Sequence, residues 1–379
     1  MQEVVGSNPA APTNRHGDAM AMLETLEIRN YRGFESYAVR NLAPVNLVVG
    51  QNNVGKTSIL EAAQLLQSSS PLSLLATNYF RRIGTDPRRP VGFEPSRTLP
   101  GSFLESAFFG HSAAALTAIG IRDGSGRRLS ISISDQNMTE EGQLSLENDL
   151  PNSNLIVDSF IDGRHSERAI LMEDGSVERW PRLLRNFSSS VVPSEQVPPE
   201  GLSHGDLSAL AVKVLVHAEE QRLLEAMQIL DSSIQNVIFL PGSDRSSRHK
   251  ELILLAKEGK RLLLSSFGDG MRRMLGLALA FVNARGGQLL IDEIDSGLHY
   301  TKLEDMWRLV IKTSSDLDCQ VFATTHSSDC LKGLRDALEK EPDLADHVAV
   351  HKIDRRLTTA ITLRGANLLE ALRYDIELR

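Results

Sequence analysis

Apolar and polar positions along the chain change period several times, and each change marks a predicted element. Leu23, Leu26 and Ile28 give a roughly alternating strand, Asn30 to Phe34 a turn, and residues 36–42 a second strand. A short apolar run, Val45–Val49, has strand length, and residues 58–66 carry the spacing of an amphipathic helix that Ser68-Ser69-Ser70-Pro71 closes. Alternation returns in residues 116–122, 128–134, 143–146, 155–157 and 169–172, separated by turn sequences such as Asp123-Gly124-Ser125-Gly126 and Asp174-Gly175. This reads as an antiparallel meander. Residues 193–205, with three prolines and two glycines, read as a connector, and residues 207–230 as one long helix without sustained heptads.

The last third is predicted in more detail. Residues 252–256 and 261–264 form a hairpin pattern around Glu258-Gly259-Lys260, and residues 274–282 an apolar helix. A strand at Gln288–Ile291, a helix at 303–311, a strand at 319–324 and a helix from Ser328 follow, then strands at 348–353 and 358–363 and a last helix. The expected fold is α/β, a mixed sheet flanked by helices with an inserted β-rich and helical subdomain. Its expected division is a tail at 1–21, a first lobe at 22–70, an insertion at 71–233 and a second lobe at 234–379.

Chemistry concentrates where strands end. Gly50-Gln51-Asn52-Asn53-Val54-Gly55-Lys56-Thr57 fits G-x-x-x-x-G-K-[ST] in full and lies between the apolar strand and the amphipathic helix. Such a turn points backbone N–H groups at an anion, and the helix N-terminus adds partial positive charge. Gly50, Asn52, Asn53, Val54, Gly55, Lys56, Thr57 and Ser58 are therefore candidate nucleotide-binding residues. Lys56 suits the β- and γ-phosphates, and Thr57 suits Mg²⁺. Ser265-Ser266-Phe267-Gly268-Asp269-Gly270 before a helix is a second anion cradle. The strand Gln288–Ile291 ends in Asp292, suited to Mg²⁺, and Glu293, placed to polarise an attacking water. His326, just past a core strand, can meet the γ-phosphate edge, though a histidine taken by itself is more often structural. Arg32 is either a nucleotide contact or a solvated turn residue. Arg81, Arg82, Arg88 and Arg89, set among prolines, read as a basic loop that touches DNA or a partner, or is simply solvated.

Bulk properties narrow the class. No apolar run has the length of a bilayer span, so no membrane is expected. A net charge of −8 gives no whole-molecule attraction to nucleic acid, so DNA contact requires a local basic patch. Cys319 and Cys330 read as packing residues in a reduced cytoplasm. Val5-Gly6-Ser7-Asn8-Pro9 matches what the T-arm of a tRNA gene yields when translated in one frame, so translation is expected to begin at Met20 or Met22. A natural tail is the alternative.

Taken in order, GQNNVGKT, SSFGDG, LLIDEIDSG and TTHS resemble the ATP-binding-cassette ATPases of the SMC/RecF kind. Within them the chain looks closest to the OLD-like AAA-type ATPases of bacterial anti-phage systems. LETLEIRNYRGFES is similar to that family's first strands, and GDGMRRMLGLALAF to its signature helix. The resemblance implies a P-loop NTPase of ABC/SMC head type that closes as a head-to-head homodimer on two ATP molecules. Lys56 and Thr57 would hold ATP, while Ser266, Gly268 and Gly270 would reach the γ-phosphate bound by the partner copy. Asp292 would serve Mg²⁺, Glu293 act as general base, Asp295 cross the interface and His326 sense the γ-phosphate. SFGDG lacks the final glutamine of transporter cassettes, which speaks against a transporter subunit. The chain ends at Arg379, too soon after His326 for a Toprim nuclease domain, so an effector (nuclease or toxin) encoded nearby is expected. A RecF-like DNA-repair ATPase is the alternative function. A small-molecule kinase is disfavoured, because the Asp-Glu pair serves water attack and no acceptor pocket is legible.

Overall fold

The computed structural model describes residues 22–82, 98–100, 102–111, 117–135, 155–171, 176–179, 192–240, 251–256 and 259–374. The expectations for the first nineteen residues, for the run 143–146 and for Arg88 and Arg89 lie outside them.

Antiparallel β1 (Thr25–Tyr31) and β2 (Phe34–Arg40) lead into β3 (Val45–Val49) and then α1 (Lys56–Gln67). A second helix, α2 (Pro71–Arg82), follows at once. Arg81 and Arg82 are therefore helical, which corrects their reading as loop; proline fits the first turn of a helix as well as it ends one. Strand β4 (Thr98–Pro100) and α3 (Ser102–Glu105) precede the meander of β5 (Ala118–Arg122), β6 (Arg128–Asp135), β7 (Leu155–Ile161), β8 (Arg164–Leu171) and β9 (Ser176–Arg179). The meander hydrogen-bonds to the entry strands, giving one sheet of order β2-β1-β5-β6-β7-β8-β9-β4.

The stretch expected to be a connector holds a core strand, β10 (Ser194–Val197), parallel to the strand that carries the acids. Four residues beside prolines are too short for alternation to show, and an edge position tolerates the prolines. The single long helix is also corrected. It divides into α4 (His204–Val216) and α5 (Glu220–Leu230), with Ala218 between them at φ 54°. Ser203 and Asp206 cap α4 reciprocally. Next come the three-stranded β11 (Ile234–Leu240), β12 (Glu251–Ala256) and β13 (Arg261–Leu263), then α6 (Gly268–Asn283). The remaining elements are β14 (Gln288–Ile291), α7 (Leu303–Asp316), β15 (Gln320–Thr324), α8 (Ser328–Lys340), β16 (Val348–Lys352), β17 (Ile361–Arg364) and α9 (Gly365–Arg373).

The sheet that matters for chemistry runs β10-β14-β15-β3-β16-β17, parallel except for the final pair. All five residues of β3 are buried, as a central parallel strand covered on both faces requires. Its side chains alternate between two cores. Val45, Leu47 and Val49 face a cluster with α4 to α9, whereas Val48 joins Ile59, Leu60 and the apolar face of the first sheet. The loop after β3 is thus anchored from both sides. Cys319 and Cys330 are buried and unbonded, and burial pushes both thiols up. Among the described residues no helix is long and apolar enough to cross a membrane.

Candidate nucleotide site

The loop from Gly50 to Gly55 leaves the C-terminal edge of the sheet and turns into α1. Gly50 has φ 146°, and a Cβ there would lie 2.7 Å from the carbonyl oxygen of Ile353. Gly55, the N-cap of α1, has φ 103°, and a Cβ would come within 2.5 Å of the Phe34 ring. Both conformations favour glycine, and both approaches exclude a side chain. No side chain caps α1, so its first N–H groups stay free for an anion.

Lys56 folds back over this loop, its Nζ donating to the carbonyls of Gly50 at 2.8 Å and Gln51 at 2.9 Å. Partial burial lowers its pKa, while Asp292 and Glu293 work against that shift. The Thr57 hydroxyl donates to Asp292 Oδ2 at 3.0 Å, joining the start of α1 to the end of β14. Asp292 N–H donates to the Val197 carbonyl at 3.0 Å, so the edge strand β10 helps to place it. Asn52 and Asn53 are exposed, and Ser58 is buried at the base of α1.

Thr324, at the end of β15, was not singled out from the sequence. Its hydroxyl donates to Asp292 Oδ1 and accepts from the Glu293 N–H at 2.9 Å. Thr325 repeats the device one residue on, donating to Asp295 Oδ1 at 2.6 Å and accepting from Ser327 N–H at 3.0 Å. The signal in the sequence is the pair of hydroxyl residues that precedes the histidine in the run Thr324-Thr325-His326-Ser327. Glu293 has φ 48°, a left-handed conformation that costs about 1 kcal/mol in a residue bearing a Cβ. Its half-exposed carboxylate lies 3.7 Å from His326 Nδ1. Strain at such a position points toward function.

The second cradle lies at the start of α6. Ser266 and Gly268 are exposed, and Gly268 has φ 78°. A Cβ on Gly270 would sit 3.9 Å from Leu298, so this turn packs beside the loop that carries Asp295. Buried Arg273, three residues along α6, was also missed. It donates to the carbonyls of Pro198 at 3.0 Å and Glu293 at 3.3 Å. Burial lowers its pKa, opposed by Asp295, Glu200 and Glu293. Its signal was an arginine in a helical phase otherwise filled by Met274, Leu277 and Phe281.

Both sequence readings of Arg32 are corrected. It is buried, its Nε lying 2.7 Å from Glu61 Oε2 and donating to Tyr31 Oη at 3.0 Å. Burial disfavours its charge, but Tyr31 and Glu61 outweigh that and raise its pKa. Arg82 reaches the same carboxylate at 2.9 Å, so Glu61 ties α1, α2 and the β1–β2 turn together. A charged residue in a turn ordinarily reads as exposed; only the tertiary partner shows otherwise.

Thr57, Asp292, Glu293, Asp295 and His326 therefore gather at the ends of β14 and β15 around the loop bearing Lys56, and the serine–glycine turn packs beside the Asp295 loop.

Comparisons with known proteins bear on the family. A family model described as "AAA domain, putative AbiEii toxin, Type IV TA system" matches residues 45–329. The chain is 23% identical over 382 aligned residues to an ATP/GTP phosphatase of Helicobacter pylori (strain ATCC 700392 / 26695), covering 92% of this chain and 97% of that one. Among solved structures it is similar to the SMC head domain from Thermotoga maritima, at 13% identity and TM-score 0.42, with 91% of this chain and 99% of that chain covered. It is also similar to an SMC head bound to the C-winged helix domain of ScpA, at 13% identity and TM-score 0.47, with 91% and 98% covered. The strand–loop–helix over a parallel sheet, with the acid-bearing strand beside it, makes this an α/β P-loop fold with an added antiparallel sheet. With the model spanning most of its length, the chain belongs to the AAA domain family of P-loop NTPases.

Proposed function

We propose that this chain is an ATPase in which two copies close head to head on two ATP molecules, acting as a nucleotide-dependent switch for a separate effector in anti-phage defence. The observation that carries the reading is the hydrogen-bonded series Thr57–Asp292–Thr324–Glu293 beside the free N-terminus of α1. It aligns a hard-cation donor pair with a strained, exposed carboxylate over one anion seat. The name of the Helicobacter pylori relative, ATP/GTP phosphatase, supports nucleotide hydrolysis. The toxin–antitoxin system in the family description supports a second protein working with this one.

The residues present fit Mg²⁺. Two oxygens, Thr57 Oγ1 and Asp292 Oδ2, lie 3.0 Å apart at the helix start, the donor chemistry a hard divalent ion takes. Thr57 and Asp292 would hold the ion, which would supply neutralisation of phosphate charge. The N–H groups of Gly50 to Thr57 cradle the phosphates, and Lys56 exchanges its two carbonyl partners for phosphate oxygens. Glu293 accepts the proton of the attacking water, held outward by its left-handed backbone. His326 sits where the γ-phosphate meets that carboxylate. The products are ADP and phosphate.

Ser266 and Gly268, which are exposed, and half-buried Gly270 serve the ATP held by the other copy. Asp295 and Leu298, beside that turn, then lie across the same contact. Closure with nucleotide and opening after hydrolysis form a two-state element that an effector can read.

The test is Glu293→Gln. It is expected to abolish phosphate release, keep ATP bound and shift the protein to a dimer by light scattering. Hydrolysis at the wild-type rate would overturn the base assignment, and a nucleotide-loaded wild type that stays monomeric would overturn the switch.

A further inference from the structure

The sheet order sets the direction in which a nucleotide must lie. The strand bearing the phosphate loop, β3, has β15 on one side and β16 on the other, both parallel to it. Glu293 and His326 stand at the ends of β14 and β15, so the γ-phosphate end belongs on that side. The nucleoside end must then run the opposite way, toward the loop after β16.

That loop is Asp354-Arg355-Arg356. Ile353 N–H donates to the Val49 carbonyl at 2.9 Å, fixing the loop to the start of the phosphate loop. Arg356 closes on Asp354 with Nη2 and Oδ2 2.5 Å apart. Arg355 behaves differently. It is exposed, and among the described residues it has no acidic partner. Its Nε donates to the carbonyl of Val54, inside the phosphate loop, at 3.3 Å. Across from it, a Cβ on Gly33 would fall 2.7 Å from Nη2, so the guanidinium lies directly against the glycine of the β1–β2 turn. A planar cation is thus held at the rim of the seat, on the nucleoside side, without an ion pair among the described residues.

We propose that Arg355 holds the purine of the bound nucleotide, its guanidinium against the face of the base. A guanidinium stacks on aromatic faces as a flat cation, which an ammonium does not reproduce. The proposal rests on the reading that Gly50 to Thr57 seat a triphosphate.

The experiment is calorimetric titration of the full chain with Mg²⁺ and ATP, GTP or inorganic tripolyphosphate. Arg355→Ala is expected to weaken ATP and GTP about tenfold and to leave tripolyphosphate within about twofold of wild type. Gly33→Val, which fills the space the guanidinium uses, is expected to act in the same direction. ATP binding unchanged by Arg355→Ala would overturn the proposal. An equal loss of tripolyphosphate would also overturn it, since the arginine would then be reading phosphate. Lys56→Ala separates the two readings: if it leaves ATP and tripolyphosphate binding intact, the seat itself is wrong.

Discussion

At the scale of single residues, two hydroxyls set the geometry on which the chemistry depends. Thr324 is almost fully buried and bridges the side chain of Asp292 to the backbone of Glu293. Replacing it by valine keeps the shape and removes both hydrogen bonds. Thr324→Val is expected to lower kcat about 10- to 100-fold with little change in ATP affinity, because groups that orient a metal ligand act at that level. Thr324→Ser, which keeps the hydroxyl, is expected to recover most of the rate. Single-turnover kinetics beside equilibrium binding check this; a Thr324→Val enzyme with normal kcat rules out the positioning role. The strained backbone of Glu293 belongs to the same logic, since its N–H is held by Thr324 and its carbonyl accepts from Arg273.

At the scale of elements, the junction of β3, β16 and β17 contains a titratable group shut off from the solvent-accessible surface. His351 on β16 is fully buried between Asn46 on β3 and Thr362 on β17. Asn46 Oδ1 can only accept, and it already takes the Ala43 N–H at 2.8 Å. His351 Nε2 therefore carries the ring proton, and Nδ1 lies 2.9 Å from the Thr362 hydroxyl oxygen. Burial, helped by Arg364, lowers the pKa from 6.5 to about 3. The folded state thus binds this proton less readily than the unfolded chain. The contribution is fully present above pH 6.5 and is lost as pH falls from there toward 3, at up to about 1.4 kcal/mol per pH unit. Denaturant titrations of wild type and His351→Gln between pH 7 and 4 are expected to show a flatter slope for the variant; parallel slopes would mean that His351 titrates normally.

At the scale of the whole molecule, the proposed site is split between two copies. One copy supplies Lys56, Thr57, Asp292 and Glu293, and the other supplies Ser266, Gly268 and Gly270. Lys56→Ala and Ser266→Arg are each expected to abolish hydrolysis alone. Mixed in equal amounts, they are expected to regain activity, because a mixed dimer contains one intact composite site. Phosphate release from the mixture measures this directly, and a mixture as inactive as its parts would place the whole site in a single chain.

The sequence by itself determined the local pieces of the site. A strand, a glycine turn and a lysine at the head of a helix are contiguous, so backbone preference and short-range spacing settle them. The same holds for Asp292 and Glu293 at the end of an apolar strand. Tertiary structure alone decided what joins those pieces. Thr57 meets Asp292 across a sheet, Thr324 holds both acids from a third strand, and Arg273 reaches Glu293 from α6. Arg32, Arg82 and Glu61 show the same division, because whether a charge is solvated or buried depends on partners distant in sequence. Strand β10 and the break at Ala218 escaped for a related reason: four residues are too few for a period, and one left-handed residue leaves no mark on hydrophobic spacing.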